Sequence, residues 1–479
     1  MDNPPLAKKL YLAVTGANCI PQLKNIGVTG DKITGRGGLA FFLRYLEKIS
    51  IFQLLERRIG FLRKSVKGQK LCEVTKQIIA YFVDGSHRSI SGFDELRRDE
   101  SYAALLEEEK DSLIGSDIVK RFFRKFLGRM HSIFRPLLHL LFVWRLKREK
   151  PDLIALDIDT MVLNNDDALR REGVEPTYKS KKGFQVLNVS WGGYIVDSLF
   201  RSGSKHSNYG NDVSKIMKKL VGLIRKHYSK EIPIILTCDS GFLDQKIFRY
   251  FENELGIYYI CVGKLYDDIT RYVGQLPRSD FKEFEGEHSV WGYCEFGNKL
   301  KSWGKYRRAI YTTLICEDEQ LLLEFARPDT LLYTNIGQSP ELDERLIQAG
   351  YGEYMSADKI IELAHSRGCR ELNHRSFKDF MGTEHLPFKR FGMNGAYYYM
   401  MLISHFLFES YKRDVCEDVI PVTSYPTTFR RRLIDFACKI IETGRSVTLK
   451  VTRMIWETLK IEVLWERCNN PVPICLPGG

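Results

Sequence analysis

Residues 153–163 read LIALDIDTMVL, a run of β-formers interrupted by two aspartates, Asp157 and Asp159. Residues two apart on a strand share a face, so both carboxylates project to the same side. Two ionised carboxylates on a partly buried strand are unfavourable unless a cation neutralises them, and a hard, oxygen-seeking divalent ion does this best. The competing reading is that the strand frays here and that Asp159 with Thr160 begins a turn.

Outward from this strand, FQVLNVS (184–190) and YIVDSLF (194–200) flank Trp191, Gly192 and Gly193 at the position of a hairpin turn. The three runs predict an antiparallel meander. A helix is predicted over 211–228, then the strand IPIILTCD (232–239), the helix FLDQKIFRYFENEL (242–255) and the strand IYYICVG (257–263). The order βββαβαβ is that of an α/β, ribonuclease-H-like fold, in which helices cover both faces of one mixed sheet.

The flanking segments have other textures. Residues 1–150 carry apolar residues at helical spacing, as in LAFFLRYLEKISIFQLLERRI and KLCEVTKQIIAYFVDG, and predict a helical domain. Residues 264–355 hold short aromatic runs (SVWGYCEF, RRAIYTTLICE, QLLLEFA, TLLYTNI) and predict a β-rich insertion. Helical patterns resume from Ser356 to Phe380 and in AYYYMMLISHFLFESY (396–411). The expected organisation is therefore a helical domain 1–150, a catalytic domain 151–263 with 356–410, the insertion 264–355, and a basic C-terminal region 411–479 containing Arg430, Arg431 and Arg432.

Length and composition, 479 residues with 44% hydrophobic and 28% charged, suit a folded protein of two or three domains and exclude disorder and collagen-like structure. Seventy-two Lys and Arg against 60 acids give +12, which favours a polyanionic partner. Residues 117–150 are the most basic stretch: ten Lys or Arg against Asp117 and Glu149. Lys120, Arg121, Arg124 and Lys125 there read equally well as a phosphate-tracking surface or as the solvated face of a helix whose apolar side holds Phe122, Phe123 and Phe126. The apolar run Leu137–Trp144 is far short of the roughly 20 residues a membrane-spanning helix needs, and MDNPPLAKKL has no signal-peptide stretch, so a cytoplasmic, nucleoid-associated protein without membrane contact is expected. Eleven cysteines without a CxxC pair suggest neither disulfides nor structural zinc.

Two further carboxylates complete the candidate site. Asp239 ends the fourth strand, at the edge where ligand sites gather, although an Asp there also serves as an ordinary helix N-cap. Glu371 lies on a late helix with Arg367 four residues before it and Lys378 seven after; at about 100° per residue the three share one stripe. That stripe suits a metal-bound phosphate, or else an exposed Arg–Glu pair. First strand, end of the fourth strand and late helix are where a ribonuclease-H-like nuclease holds two divalent ions that clamp a scissile phosphate.

These segments resemble the DDE insertion-sequence transposases and, within them, the insertion sequence 1380 family. LDIDTMVL (156–163) resembles the first-aspartate motif, CDSGF (238–242) the second, and RGCRELNHRSFKDF (367–380) the glutamate helix, with the Arg-x3-Glu-x6-Lys spacing of related hairpin-forming transposases. The Tyr that precedes this spacing in the family falls at Ala364, where the chain departs from it. Similarity continues through LPFKRFGMNGAYYYMMLISHFLFE and YPTTFRRRLID. The resemblance implies Asp159, Asp239 and Glu371 as the catalytic triad, Asp157 as a further metal ligand, and two Mg²⁺ or Mn²⁺ ions. It also implies an insertion-domain Trp, Trp291 or Trp303, that stacks a flipped base near the transposon end. The activity implied is binding of terminal inverted repeats in double-stranded DNA, metal-dependent cleavage and transfer of the 3′ ends, by a homodimer assembled on DNA. Rivals are a nuclease that cannot join strands and a transposase-derived DNA-binding protein without catalysis.

Overall fold

The structure is a computed structural model that describes residues 23–65, 68–168, 170–286, 289–317, 320–321, 328–365, 367–444 and 446–474, with backbone alone for 320–321 and 367–372. Its centre is one large mixed sheet. Strands β1 (Ile154–Asn164), β2 (Lys182–Trp191) and β3 (Tyr194–Leu199) form the meander, and β4 (Ile234–Cys238) and β5 (Tyr258–Val262) follow after helical crossovers. The main path of the sheet continues with β6 (Lys282–Glu285), β7 (Ser289–Asn298), β8 (Arg307–Glu317) and β9 (Asp329–Thr334). The spatial order is β3-β2-β1-β4-β5-β9-β8-β7-β6, and only β1, β4 and β5 run parallel.

The turn between β2 and β3 is the two-residue link Gly192-Gly193, closed by pairing of Trp191 with Tyr194. Gly192 has φ 57°, a left-handed backbone that a residue without Cβ adopts freely and that matches strand twist. The β-rich stretch joins the same sheet as the meander: β9 pairs antiparallel with β5 (Leu332 with Val262, Thr334 with Ile260), so the sheet passes without interruption from one segment to the other.

Alternation along the strands sorts two cores. Leu236, Tyr259, Cys261, Leu331 and Tyr333 enter the main core, whereas Ile235, Tyr258, Ile260 and Leu332 point to the opposite face. There they are covered by the helix Pro340–Gln348 and by a second helix, Ala357–His365, through Leu342, Leu346, Ile360 and Ile361. On β1, Ile154, Leu156 and Ile158 enter the main core, which leaves Asp157 and Asp159 on the alternate face.

The helices around the sheet include α1 (Ser116–Arg124), α2 (Met130–Glu149), α3 (Asp212–His227), α4 (Ala357–His365), α5 (Arg367–Met381) and α6 (Phe391–Val415). Helix α6 is buried continuously from Met393 to Lys412, as expected of a helix that is apolar all round and packed by neighbours on every side. Helices from the first 150 residues pack against it, among them α1, α2 and Leu71–Asp84, and share the main core with the meander. A small second sheet joins distant parts of the chain: Lys32–Thr34 pairs with Cys438–Thr443, which pairs with Ser446–Lys450. Beside it Gly38 lies so close to the Leu433 carbonyl that a Cβ would sit 1.7 Å from the oxygen, so no other residue fits there. Among the described residues, no helix is long and apolar enough to cross a membrane.

Candidate active site

The parallel register of β1 and β4 pairs Asp157 with Thr237 and Ile158 with Cys238, so Asp159 and Asp239 follow as the next residues on neighbouring strands. Asp239 directly follows β4, and Asp159 stands midway along β1, just past the point where its parallel pairing with β4 stops. Asp157 is 7% exposed, and its Oδ1 accepts a hydrogen bond from Thr237 Oγ1 at 2.8 Å, so it is held inside the sheet. Asp159 is half-buried. Its Oδ1 accepts from the Thr160 N–H at 2.7 Å and its Oδ2 lies 3.5 Å from His374 Nδ1. Asp239 Oδ1 accepts from the Gly241 N–H at 2.8 Å and caps the turn Ser240–Phe242. The capping role anticipated for Asp239 is real and occupies one oxygen of the carboxylate.

Helix α5, which bears Glu371, packs over β1. The side chains of Arg367 and Glu371 lie outside the described residues. The rest of the helix is fixed on several sides. Ser376 Oγ lies 3.2 Å from His405 Nε2 on α6, the Asp379 carboxylate accepts from Thr427 N and Oγ1 at 2.7 and 2.9 Å, and Phe377 meets Tyr398 edge to face. Burial, reinforced by the charges of Lys412 and Arg430, pushes the His405 ring down to about 3, so it is neutral at ordinary pH. Ser376 Oγ also donates to Glu409 Oε1 at 3.5 Å, and Glu409 is paired with Lys412 on α6.

Four residues at this site escaped the sequence reading. His374 follows Glu371 by three positions on the same helix face, a signal present in the spacing. Asn188 stands directly opposite Asp159 across the β1–β2 ladder and is fully buried. Tyr178 is 58% exposed; burial and then the charge of Asp159, with a smaller share from Asp239, push its hydroxyl above the usual phenol range. Ser207 Oγ lies 3.5 Å from Thr160 Oγ1.

The residues expected to touch DNA fall in different surroundings. Lys120, Arg121 and Arg124 are exposed on α1 and Lys125 is half-buried, while Phe122, Phe123 and Phe126 fill the core beneath them. Three other cations of the 117–150 stretch are engaged internally: Arg135 with Asp197, and Arg145 and Arg148 with Asp414. Concentrated positive charge in this stretch is therefore only partly a surface property. Lys378 Nζ pairs with Glu384 Oε1 at 2.7 Å. Trp303 is 4% exposed and enclosed by Phe248, Tyr333 and Arg307, so its ring has no open face for a base and the expectation of stacking passes to Trp291. Trp291 is partly exposed on β7 and lies against the His365 ring at 3.9 Å.

Carboxylates side by side on neighbouring chain segments are hard oxygen donors of the kind that bind Mg²⁺ or Mn²⁺ with water completing the shell. Among the described residues, no group of three or more His, Cys, Asp or Glu side chains is arranged to hold a metal ion. Asp159 and Asp239 supply two donors, and the third candidate, Glu371, stands on the helix above them.

A family model described as transposase DDE domain group 1 matches residues 24–467. No curated protein matches the chain. Among solved structures, the piggyBac transposase synaptic complex with hairpin DNA, determined by cryo-EM, is similar at 12% identity over 92% of this chain and 85% of that one, with a TM-score of 0.36.

Proposed function

The chain belongs to the transposase DDE domain group 1 family, and from that premise we propose that it is a DNA transposase of the insertion sequence 1380 type. It binds the terminal inverted repeats of its element, cleaves the DNA with divalent metal and transfers the 3′ ends to a target. The observation that carries this reading is the placement of Asp159 and Asp239 side by side, just beyond the last parallel pair of β1 and β4, with the helix of Glu371 packed over β1. The meander followed by β4 and β5 in the order 3-2-1-4-5 supports a ribonuclease-H-like catalytic domain, assigned to 151–263 and 356–410. Residues 1–150 read the ends, 264–355 form the β-rich insertion and 411–479 the basic C-terminal region.

Asp159, Asp239 and Glu371 would hold two Mg²⁺ or Mn²⁺ ions, with Asp157 a further ligand. When bound, such ions polarise the scissile phosphate and lower the pKa of an attacking water or hydroxyl. The protein groups do the rest. Arg367 and Lys378 hold phosphates on the stripe of Glu371, the cations of α1 track the backbone, and Trp291 offers a ring face to an unpaired base. Lys378 exchanges its Glu384 partner for a phosphate when DNA enters. No Ser, Tyr or Cys nucleophile is required, because water or a free 3′ hydroxyl attacks the phosphorus directly. The protein acts as a homodimer on DNA, in the cytoplasm at the nucleoid.

The test is cleavage and joining of a duplex that carries the terminal repeats flanking the gene, in Mg²⁺. Asp159→Ala, Asp239→Ala and Glu371→Ala should each abolish cleavage and leave end binding near that of the unaltered protein. Near-normal cleavage by any one of them removes that residue from the triad. Cleavage without joining by the unaltered protein would make it a nuclease.

A further inference from the structure

Asn188 is fully buried at the centre of β2, and its side-chain orientation is fixed by hydroxyl groups. Its Oδ1 accepts from Ser198 Oγ at 2.7 Å and from Tyr398 Oη at 2.9 Å, both also buried. The amide nitrogen therefore faces the other way, where it lies 3.3 Å from His374 Nε2. An amide NH₂ donates and cannot accept. His374 Nε2 must then be the bare nitrogen, and the ring proton resides on Nδ1, 3.5 Å from Asp159 Oδ2. The other oxygen of Asp159 is already occupied by the Thr160 N–H.

We infer that His374 is a positioning residue for Asp159: as the Nδ1–H tautomer, set by Asn188 with Ser198 and Tyr398, it orients the Asp159 carboxylate toward the metal. The inference rests on the reading of Asp159 and Asp239 as metal ligands. Its chemistry is that of a neutral donor. A guanidinium or ammonium in the same place would orient the carboxylate and also cancel its charge, whereas an imidazole N–H fixes the geometry and leaves the negative charge for the cation. The relay begins in the core, at groups that are themselves immobile, and ends at a half-buried carboxylate that faces the site.

Two amides distinguish the ends of the ring. His374→Asn places an NH₂ where Nδ1–H stood and keeps a donor for Asp159. His374→Gln places its amide at the Nε2 end and removes the N–H that stood beside Asp159 Oδ2. Mn²⁺ binding to the full chain without DNA, followed by the electron paramagnetic resonance signal of free Mn²⁺, reads the metal site directly, with the melting temperature recorded beside it. Loss of an outer-shell partner typically weakens metal binding about 10–100-fold, so His374→Gln and His374→Ala should fall in that range and His374→Asn within about threefold of the unaltered protein. Equal Mn²⁺ affinity in all three variants, or His374→Asn as weak as His374→Gln, overturns the positioning role. Asp239→Ala separates the two levels. If it binds Mn²⁺ normally, the metal-site reading falls and this inference with it; if it alone loses Mn²⁺, only the role of His374 falls. In ¹⁵N spectra of the unaltered protein, the ring signals that disappear in His374→Asn should show Nδ1 protonated, and a protonated Nε2 there would also overturn the relay.

Discussion

Asp197 and Asp159 stand on the two strands that flank β2, and their surroundings differ in kind. Asp197 is completely buried on β3; Arg135 donates to it through Nε and Nη2 at 2.8 and 2.7 Å, and His139 Nε2 lies 2.8 Å from its Oδ2. Burial pushes its carboxyl up, but the hydrogen bonds and charges of Arg135 and His139 outweigh burial and hold it below the usual carboxylate range. Asp159 meets a backbone N–H and an imidazole. A carboxylate matched by a guanidinium belongs to the fold, and its charge is closed off from any ligand. Asp159 is half-buried at the candidate site, where the charge of a carboxylate can meet an arriving cation.

The comparison breaks most sharply at the chemistry. Alanine at Asp159, Asp239 or Glu371 should reduce Mg²⁺-dependent cleavage to background while the urea midpoint stays close to that of the unaltered protein. Asp197→Ala should do the reverse: it leaves the half-buried Arg135 and the buried His139 without their common partner, at a cost of about 3 kcal/mol in urea unfolding. If Asp159→Ala destabilises as much as Asp197→Ala, the distinction between the two is lost.

pH sharpens it further. Because Asp197 titrates lower in the folded state than in the unfolded chain, its contribution is complete above an unfolded value of about 3.9 and disappears as pH falls through the lower folded value. The stability gap between the unaltered protein and Asp197→Asn should therefore be constant from neutral pH down to about pH 5 and narrow in more acidic urea titrations. A gap that holds at the acid end would mean that the partners of Asp197 do not act through its charge.

The same contrast applies to the cations. Replacing Lys120, Arg121, Arg124 and Lys125 by Ala should lower the slope of log affinity for the terminal repeats against log salt by about 0.9 for each phosphate that is no longer neutralised. Arg135→Ala should destabilise the fold and leave that slope alone. An unchanged slope in the quadruple variant would reassign α1 to a solvated face. The smallest stability effect is expected at Lys378, since its partly exposed pair with Glu384 contributes about 1 kcal/mol or less, whereas joining should fall about tenfold to a hundredfold if the side chain moves onto phosphate. Joining within about twofold of normal would leave Lys378 as a pair with Glu384 and nothing more.

Much of the sheet was legible because its signals are local. Alternation in the β1 stretch, the Gly192-Gly193 turn and the switch to helical spacing after Asp212 give the strand order directly, and the neighbouring positions of Asp159 and Asp239 follow from it. What was hidden depends on register across long separations. The hydroxyl partners of Asn188 come from β3 and α6, and the loop before β2 carries no mark that would align Asn188 with Asp159. The joining of β9 to β5 was hidden for the same reason: antiparallel pairing of Leu332 with Val262 leaves no periodicity in either strand. Charge was misleading in another way. A count of Arg and Lys over 117–150 does not distinguish Arg145, 2% exposed against Asp414, from Arg124 in solvent.

The small sheet that joins Lys32–Thr34 to Cys438–Thr443 has a consequence for synthesis. Lys32 bonds Glu442 across 410 residues of chain. At about 5–20 residues per second on the ribosome, the partner of the first strand emerges roughly 20–80 seconds after it. Until then Gly38 has no Leu433 carbonyl to rest against, and Phe41 and Leu39 lack the wall supplied by Phe436 and its neighbours. Ribosome-bound chains halted short of residue 430 should accordingly expose the segment around residues 32–46 to protease, and chains released beyond residue 450 should protect it. The packing of the first helix, Gly38–Lys48, is thus completed only after the segment around residues 433–443 has been made.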